Sequence, residues 1–142
     1  MILPDLPKQN KKDEADFGID FRKWWMQNGM NAPYELKDTR GKDSISFSEI
    51  TDDQIMFALA AKSSKGVLIR VEKGTLGAPD YVGFRNSPAW IVIKYPKSAE
   101  VIDIDALLLE KSRSKRKSLT SERARAISTV SITNRKPTAT TL

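Results

Sequence analysis

The chain has 142 residues and a net charge of +6, with 24 Lys and Arg against 18 Asp and Glu, and it contains neither histidine nor cysteine. Without thiols or imidazoles there is no disulfide framework, no Ser-His or Cys-His nucleophile and no ordinary zinc site. An enzyme made of these residues must work with carboxylates, lysine and a hard divalent metal.

One domain is expected at this length. No run of eighteen or more apolar residues occurs, and Met1-Ile2-Leu3-Pro4 is too short for the apolar stretch of a signal peptide, so a cytoplasmic protein with no membrane association is expected. The charge is unevenly spread: nine of the 24 basic residues but one of the 18 acids lie at or after Lys111, leaving the first 110 residues with 15 basic against 17 acidic groups. A near-neutral body with a strongly basic C-terminal arm fits a polyanion partner, and a solubilising tail is the plain alternative.

Residues 1–12 are polar with two prolines and read as a flexible lead. Asp13 can cap a helix with Glu14 and Asp16 in its first turn, Phe17, Phe21 and Trp24 recur at helical spacing, and Gly29 stops it. Pro33 to Thr39 alternates, Tyr34 and Leu36 on one side and Glu35 and Lys37 on the other, as a strand does. Arg40-Gly41-Lys42-Asp43 is turn chemistry, and Ser44 to Phe47 reads as a brief extended segment. Thr51-Asp52-Asp53-Gln54 matches a capping box, ahead of a helix with Ile55, Ala58 and Leu59 on its apolar face that ends near 63–66. Val67 to Val71 reads as a buried strand, with further strands at Tyr81 to Phe84 and at Trp90 to Tyr95; the last is apolar on both faces and belongs in the middle of a sheet. Val101 and Ile102 begin as a strand, and Asp103 or Asp105 caps a short helix through Leu107, Leu108 and Leu109. A basic loop follows, then a second cap at 118–122 and a short helix to Ile127. Residues 130–142 are Thr-rich and poor in apolar side chains, as a disordered tail or a segment ordered only by a partner would be. Residues 13–129 would then form the folded domain, with 111–129 as its basic C-terminal segment.

On a strand, Glu35 and Lys37 share a face. A carboxylate there can hold Mg²⁺ while the neighbouring ammonium orients water and stabilises charge growing on a phosphate. A surface ion pair is the plain alternative. On the preceding helix, Asp16, Asp20 and Lys23 form a charged stripe at i, i+4 and i+7. It can border the Glu35 face and bring a second metal-ligating acid, with Arg22 available to offset the like charges; Asp16 is explained as well by a helix-capping role. Gln54 either completes its capping box or approaches a phosphate or the attacking water from a helix N-terminus.

A helix bearing an acid, a strand reading Glu35-Leu36-Lys37-Asp38-Thr39, a Ser-containing turn and a helix opening Asp53-Gln54 together resemble the PD-(D/E)XK nuclease superfamily. Within it the chain is most similar to Holliday junction resolvases of the archaeal and RecU types and to small phage proteins related to them. The RecU-type strand reads Glu-x-Lys-x-Thr and its next helix begins His-Gln. The stretch from Tyr81 through Asn86-Ser87-Pro88-Ala89-Trp90 to Lys94-Tyr95-Pro96, and that from Arg113 to Thr120, look like the phage relatives, so the similarity covers roughly Asp16 to Ser128. It implies an α/β fold in a single domain: a central mixed β-sheet flanked by helices, with a restriction-endonuclease-like core.

The implied activity is Mg²⁺-dependent cleavage of four-way junctions or other branched DNA by a homodimer in a bacterial or phage-infected cell, with Mn²⁺ as a substitute metal. Glu35 and the Leu36 carbonyl would bind the metal, Lys37 would position water, Gln54 would assist, and Asp16 or Asp20 would complete the ligand set. The family carries its first aspartate on a hairpin strand before the Glu-x-Lys strand. Only 30–34 separates helix from motif here, so Asp16, Asp20, a later Asp80 or no acid at all fills that position. The candidate phosphate contacts are Arg22, Lys23, Arg40, Lys42, Lys111, Arg113, Lys115, Arg116, Lys117 and Arg123. A nucleic-acid-binding protein that keeps the fold without cutting is the alternative, and an assembly factor using Trp24, Trp25 or Trp90 as an interface is a third reading.

Overall fold

The structure is a computed structural model that describes residues 2–3, 32–73, 79–133 and 136–139. The short strand β1 (Ile2–Leu3) is the first described element, and the helix expected from Asp13 to Gly29 lies outside the described residues, with Asp16, Asp20, Arg22 and Lys23 on it. The sheet that carries the Glu-x-Lys strand is built outward from Trp-Ile-Val-Ile-Lys at 90–94. Because this segment is apolar on both faces, it can only sit in the middle of a sheet, and it does.

The sequence expectation of a strand at Pro33 to Thr39 is met by β2 (Tyr34–Asp38), which pairs in parallel with β6 (Trp90–Lys94), Glu35 opposite Ile91 and Lys37 opposite Ile93. On the other side of β6 runs β7 (Ala99–Asp103), antiparallel and joined by a tight turn in which the Tyr95 amide donates to the Ser98 carbonyl at 2.7 Å. Beyond it lie β9 (Val130–Thr133) and β10 (Lys136–Ala139), giving the order β10-β9-β7-β6-β2 with β2–β6 as its one parallel pair.

Two smaller sheets complete the described strands. In one, β4 (Val67–Lys73) lies between β1 and β5 (Pro79–Phe84). The other is a ribbon of β3 (Ser44–Ser46) and β8 (Ser118–Thr120), which pair antiparallel with Ser44 opposite Thr120 and Ser46 opposite Ser118.

Three helices share a core with one face of the sheet: α1 (Asp52–Lys62), α2 (Ile104–Arg113) and α3 (Ser121–Ile127). Ile91, Ile93 and Ile102 on the strands pack there with Ala58 and Ala61 of α1, Ile104 and Leu107 of α2 and Ala124 of α3, so the helices and sheet form one domain. Val92, Ala99, Val101 and Ile132 make a second cluster on the opposite face, joined by Tyr34, Leu36 and Trp90. Residues two apart share a face, so Tyr34 and Leu36 belong to this second side while Glu35 and Lys37 stand on the helix-covered one.

Four sequence expectations are corrected. Leu59 is 40 % exposed; the buried residues of α1 are Ala58, as expected, and Ala61, whose small side chains let the helix sit close to the sheet, with Ile55 packed against the same core. Leu68, within the stretch expected to be buried, is likewise exposed, while its neighbour Val67 is buried. Helix α2 runs to Arg113, which puts Lys111 and Arg113 in its last turn beside the negative end of the helix dipole. The 130–142 tail is not wholly outside the fold: Val130 to Thr133 form a sheet strand with Ser131 and Ile132 buried. Ser131 pairs there with Glu100, a partner that no local pattern could announce.

Among the described residues no helix is long and apolar enough to cross a membrane.

Candidate active site

Strand β2 ends the sheet order, and α1 begins beside it, so the Glu-x-Lys strand and the capping box meet. Thr51 caps α1 by accepting the Gln54 amide at 3.3 Å, while Gln54 Oε1 accepts the Thr51 amide at 3.0 Å. That reciprocal pair leaves the other end of the Gln54 side chain pointing outward from the helix, and Nε2 donates to Glu35 Oε1 at 2.8 Å. The capping reading of Gln54 is met, and the amide so fixed also holds the Glu35 carboxylate, a contact the sequence reading did not include. Thr51→Ala removes one of the two capping bonds and is expected to cost about 1 kcal/mol. A lowered midpoint in urea denaturation would measure it.

Glu35 is partly buried beside Pro33, Phe57 and Trp90. Burial raises its pKa above the usual carboxylate range, and the nearby Lys37 ammonium, on the same face, pulls it back. In the unfolded chain Glu35 ionises at an ordinary carboxylate pKa, so between that value and the raised one the folded protein holds the extra proton. Stability therefore falls as pH rises through this window and stays reduced above it. Glu35→Gln removes the charge and is expected to melt above wild type at neutral pH. The difference should vanish below the ordinary carboxylate pKa, and thermal melts followed by circular dichroism across that range test it.

The donors suit a hard cation in kind. Glu35 Oε1 is taken by Gln54, and Oε2 makes no hydrogen bond to a described residue. At the two ends of the ladder the Trp90 amide donates to the Pro33 carbonyl and the Thr39 amide to the Lys94 carbonyl. Carbonyls alternate along a strand, so that of Leu36 points away from β6, toward the outer edge of β2. One carboxylate oxygen and one carbonyl oxygen are oxygen donors of the sort Mg²⁺ takes, with waters filling its remaining positions. Among the described residues no group of three or more His, Cys, Asp or Glu could hold a metal, and Asp16 and Asp20 lie outside them. Asp80 falls within β5, in the smaller sheet, rather than on the strands beside Glu35.

Of the basic candidates, Arg40 and Lys42 are exposed in the turn after β2, where Arg40 takes a left-handed backbone (φ 57°) and its amide donates to Asp38. Lys111, Arg113, Lys115, Arg116 and Lys117 are exposed at the end of α2 and in the loop to β8. Arg123 is engaged: its Nε and Nη2 donate to the two Glu110 oxygens at 3.0 and 2.8 Å.

Two polar features escaped the sequence reading. Glu100 is fully buried, accepts from the Ser128 and Ser131 hydroxyls at 3.1 and 2.9 Å, and lies 3.7 Å from Arg125. Thr39, the last residue of the Glu-x-Lys-x-Thr stretch, is 6 % exposed and its hydroxyl has no hydrogen-bond partner among the described residues. Glu100 sits in a stretch that reads simply as a strand start, and nothing in the spacing of serines thirty residues on marks them as its partners. A groove lined by Asp43, Tyr95, Lys97, Ser121, Glu122 and Arg125 shares no lining residue with the Glu35 recess.

Compared with known protein families, curated proteins and solved structures, the chain matches none.

Proposed function

We propose that the protein is a Mg²⁺-dependent endonuclease with a restriction-endonuclease-like core that cuts four-way junctions or other branched DNA. The observation that carries this reading is the Gln54–Glu35 hydrogen bond at 2.8 Å, which ties the Glu-x-Lys pair of β2 to the N-terminus of the next helix. Glu35 and the Leu36 carbonyl would hold the metal, with Asp16 or Asp20 as further candidate ligands. A bound Mg²⁺ supplies a Lewis acid and lowers the pKa of water. Gln54 keeps one carboxylate oxygen fixed, which leaves the other turned to its task. Lys37 lies on the same face, near enough for its charge to act on Glu35, and its ammonium can orient water and offset charge on the phosphate.

The second reading is a nucleic-acid-binding protein that does not cut. It is favoured by the recess around Glu35, which no other acid among the described residues lines. Incubating a synthetic four-way junction with the protein and Mg²⁺ or Mn²⁺ separates the two. Nicking that is lost in Glu35→Ala and Lys37→Ala supports the nuclease; wild type that binds but never nicks, across pH and both metals, supports the second reading.

A further inference from the structure

The loop between α2 and β8 is a built cationic surface. Lys111, Arg113, Lys115, Arg116 and Lys117 are all exposed, and none forms an ion pair with a described residue. Two of them are explained by their place in the last turn of a helix. The three consecutive cations beyond the helix are not, since they repel one another and none is ion-paired to a described residue.

The loop is nevertheless held. The Ser114 amide donates to the Glu110 carbonyl at 2.8 Å, the Arg116 amide donates to Ser114 Oγ at 3.1 Å, and the Phe47 amide donates to the Lys117 carbonyl at 3.0 Å. A surface already ordered loses less freedom when it binds. Glu110 is the acid next to this run, and Arg123 occupies both of its oxygens, a contact that holds its carboxyl below the usual carboxylate range. Arg123 is thereby spent on masking an anion that would otherwise compete for the loop's cations.

We infer that the 111–117 loop binds the phosphate backbone of duplex DNA, and that Arg123 supports it as a positioning residue by neutralising Glu110. No aromatic residue lies between 105 and 118 to stack an unpaired base, and Leu109 is the single exposed large apolar residue there, too little to enter a bilayer. A row of exposed cations without stacking or apolar groups matches contact with phosphates. The choice of DNA over RNA rests on the nuclease reading; the surface itself does not require catalysis.

The test uses fluorescence anisotropy with a labelled blunt duplex of random sequence, in EDTA, on the Glu35→Gln protein, so that cutting plays no part. Binding is expected to weaken with salt at a slope of about −4 in log K against log salt. Lys115→Gln/Arg116→Gln/Lys117→Gln should reduce that slope by about 2–3 and the affinity at low salt by about 10-fold or more. Arg123→Gln should weaken binding severalfold, and adding Glu110→Gln should restore it. Unchanged binding in the triple variant, or tighter binding to duplex RNA, single strands or anionic vesicles than to duplex DNA, overturns the assignment. Failure of Glu110→Gln to rescue Arg123→Gln overturns the masking role.

Discussion

Glu35→Ala is expected to slow nicking of a four-way junction in Mg²⁺ by about 10³-fold or more, and Lys37→Ala by about 10²-fold. The larger loss falls on Glu35 because, on the proposed mechanism, it supplies a ligand oxygen and loses its metal altogether when truncated. Lys37 acts on water and phosphate charge through a flexible stem, which solvent replaces in part. Glu35→Gln should match Glu35→Ala in activity, since an amide is a poor substitute for an anion at a divalent cation. It keeps an oxygen to accept from Gln54 and sheds the buried charge, so it should be at least as stable as wild type. Loss of activity with gain of stability in one substitution separates chemistry from folding. A Glu35→Gln protein that nicks as wild type does would rule out the carboxylate role.

The second large effect belongs to the core. Ile93 is fully buried in β6, flanked on its own face by Lys37 of β2 and Glu100 of β7. Ile93→Ala should cost about 3 kcal/mol, the transfer term plus a cavity that the surrounding isoleucines and helices cannot close, and lower the melting temperature by roughly 6–12 °C. Differential scanning calorimetry measures both. A loss under about 1 kcal/mol would mean that the helices settle onto the sheet, and the packing at Ala58 and Ala61 would then be looser than their burial implies.

Local chemistry made much of this fold legible. The reciprocal Thr51–Gln54 pattern, the apolar-on-both-faces run at 90–94 and the turn at 40–43 each declare themselves within a few residues, and the cap of α2 is narrowed to Asp103 or Asp105, of which the structure uses Asp103. What stayed hidden depends on partners distant in sequence. A three-residue strand such as β8 has too few positions to show alternation, and Ser118-Leu119-Thr120 reads equally well as a helix cap; Thr120 in fact ends the strand and caps α3. Leu59 looks like a core residue by helical spacing, but the face that turns inward is chosen by how α1 meets β4 and α2. At the site, the sequence reading named Glu35, Lys37 and Gln54, and the structure brings Glu35 and Gln54 into contact. The helix acids that could join them, Asp16 and Asp20, lie outside the described residues.

The parallel pairing of β2 with β6 has a kinetic corollary. The β6–β7 hairpin closes over a turn of a few residues, whereas Tyr34 must find Trp90 across β3, α1, β4 and β5. Loop-closure entropy delays such non-local parallel contacts in folding. The strand bearing Glu35 is therefore the late arrival at a sheet already started, and the contact with Gln54 becomes available only when the chain has committed to its native topology.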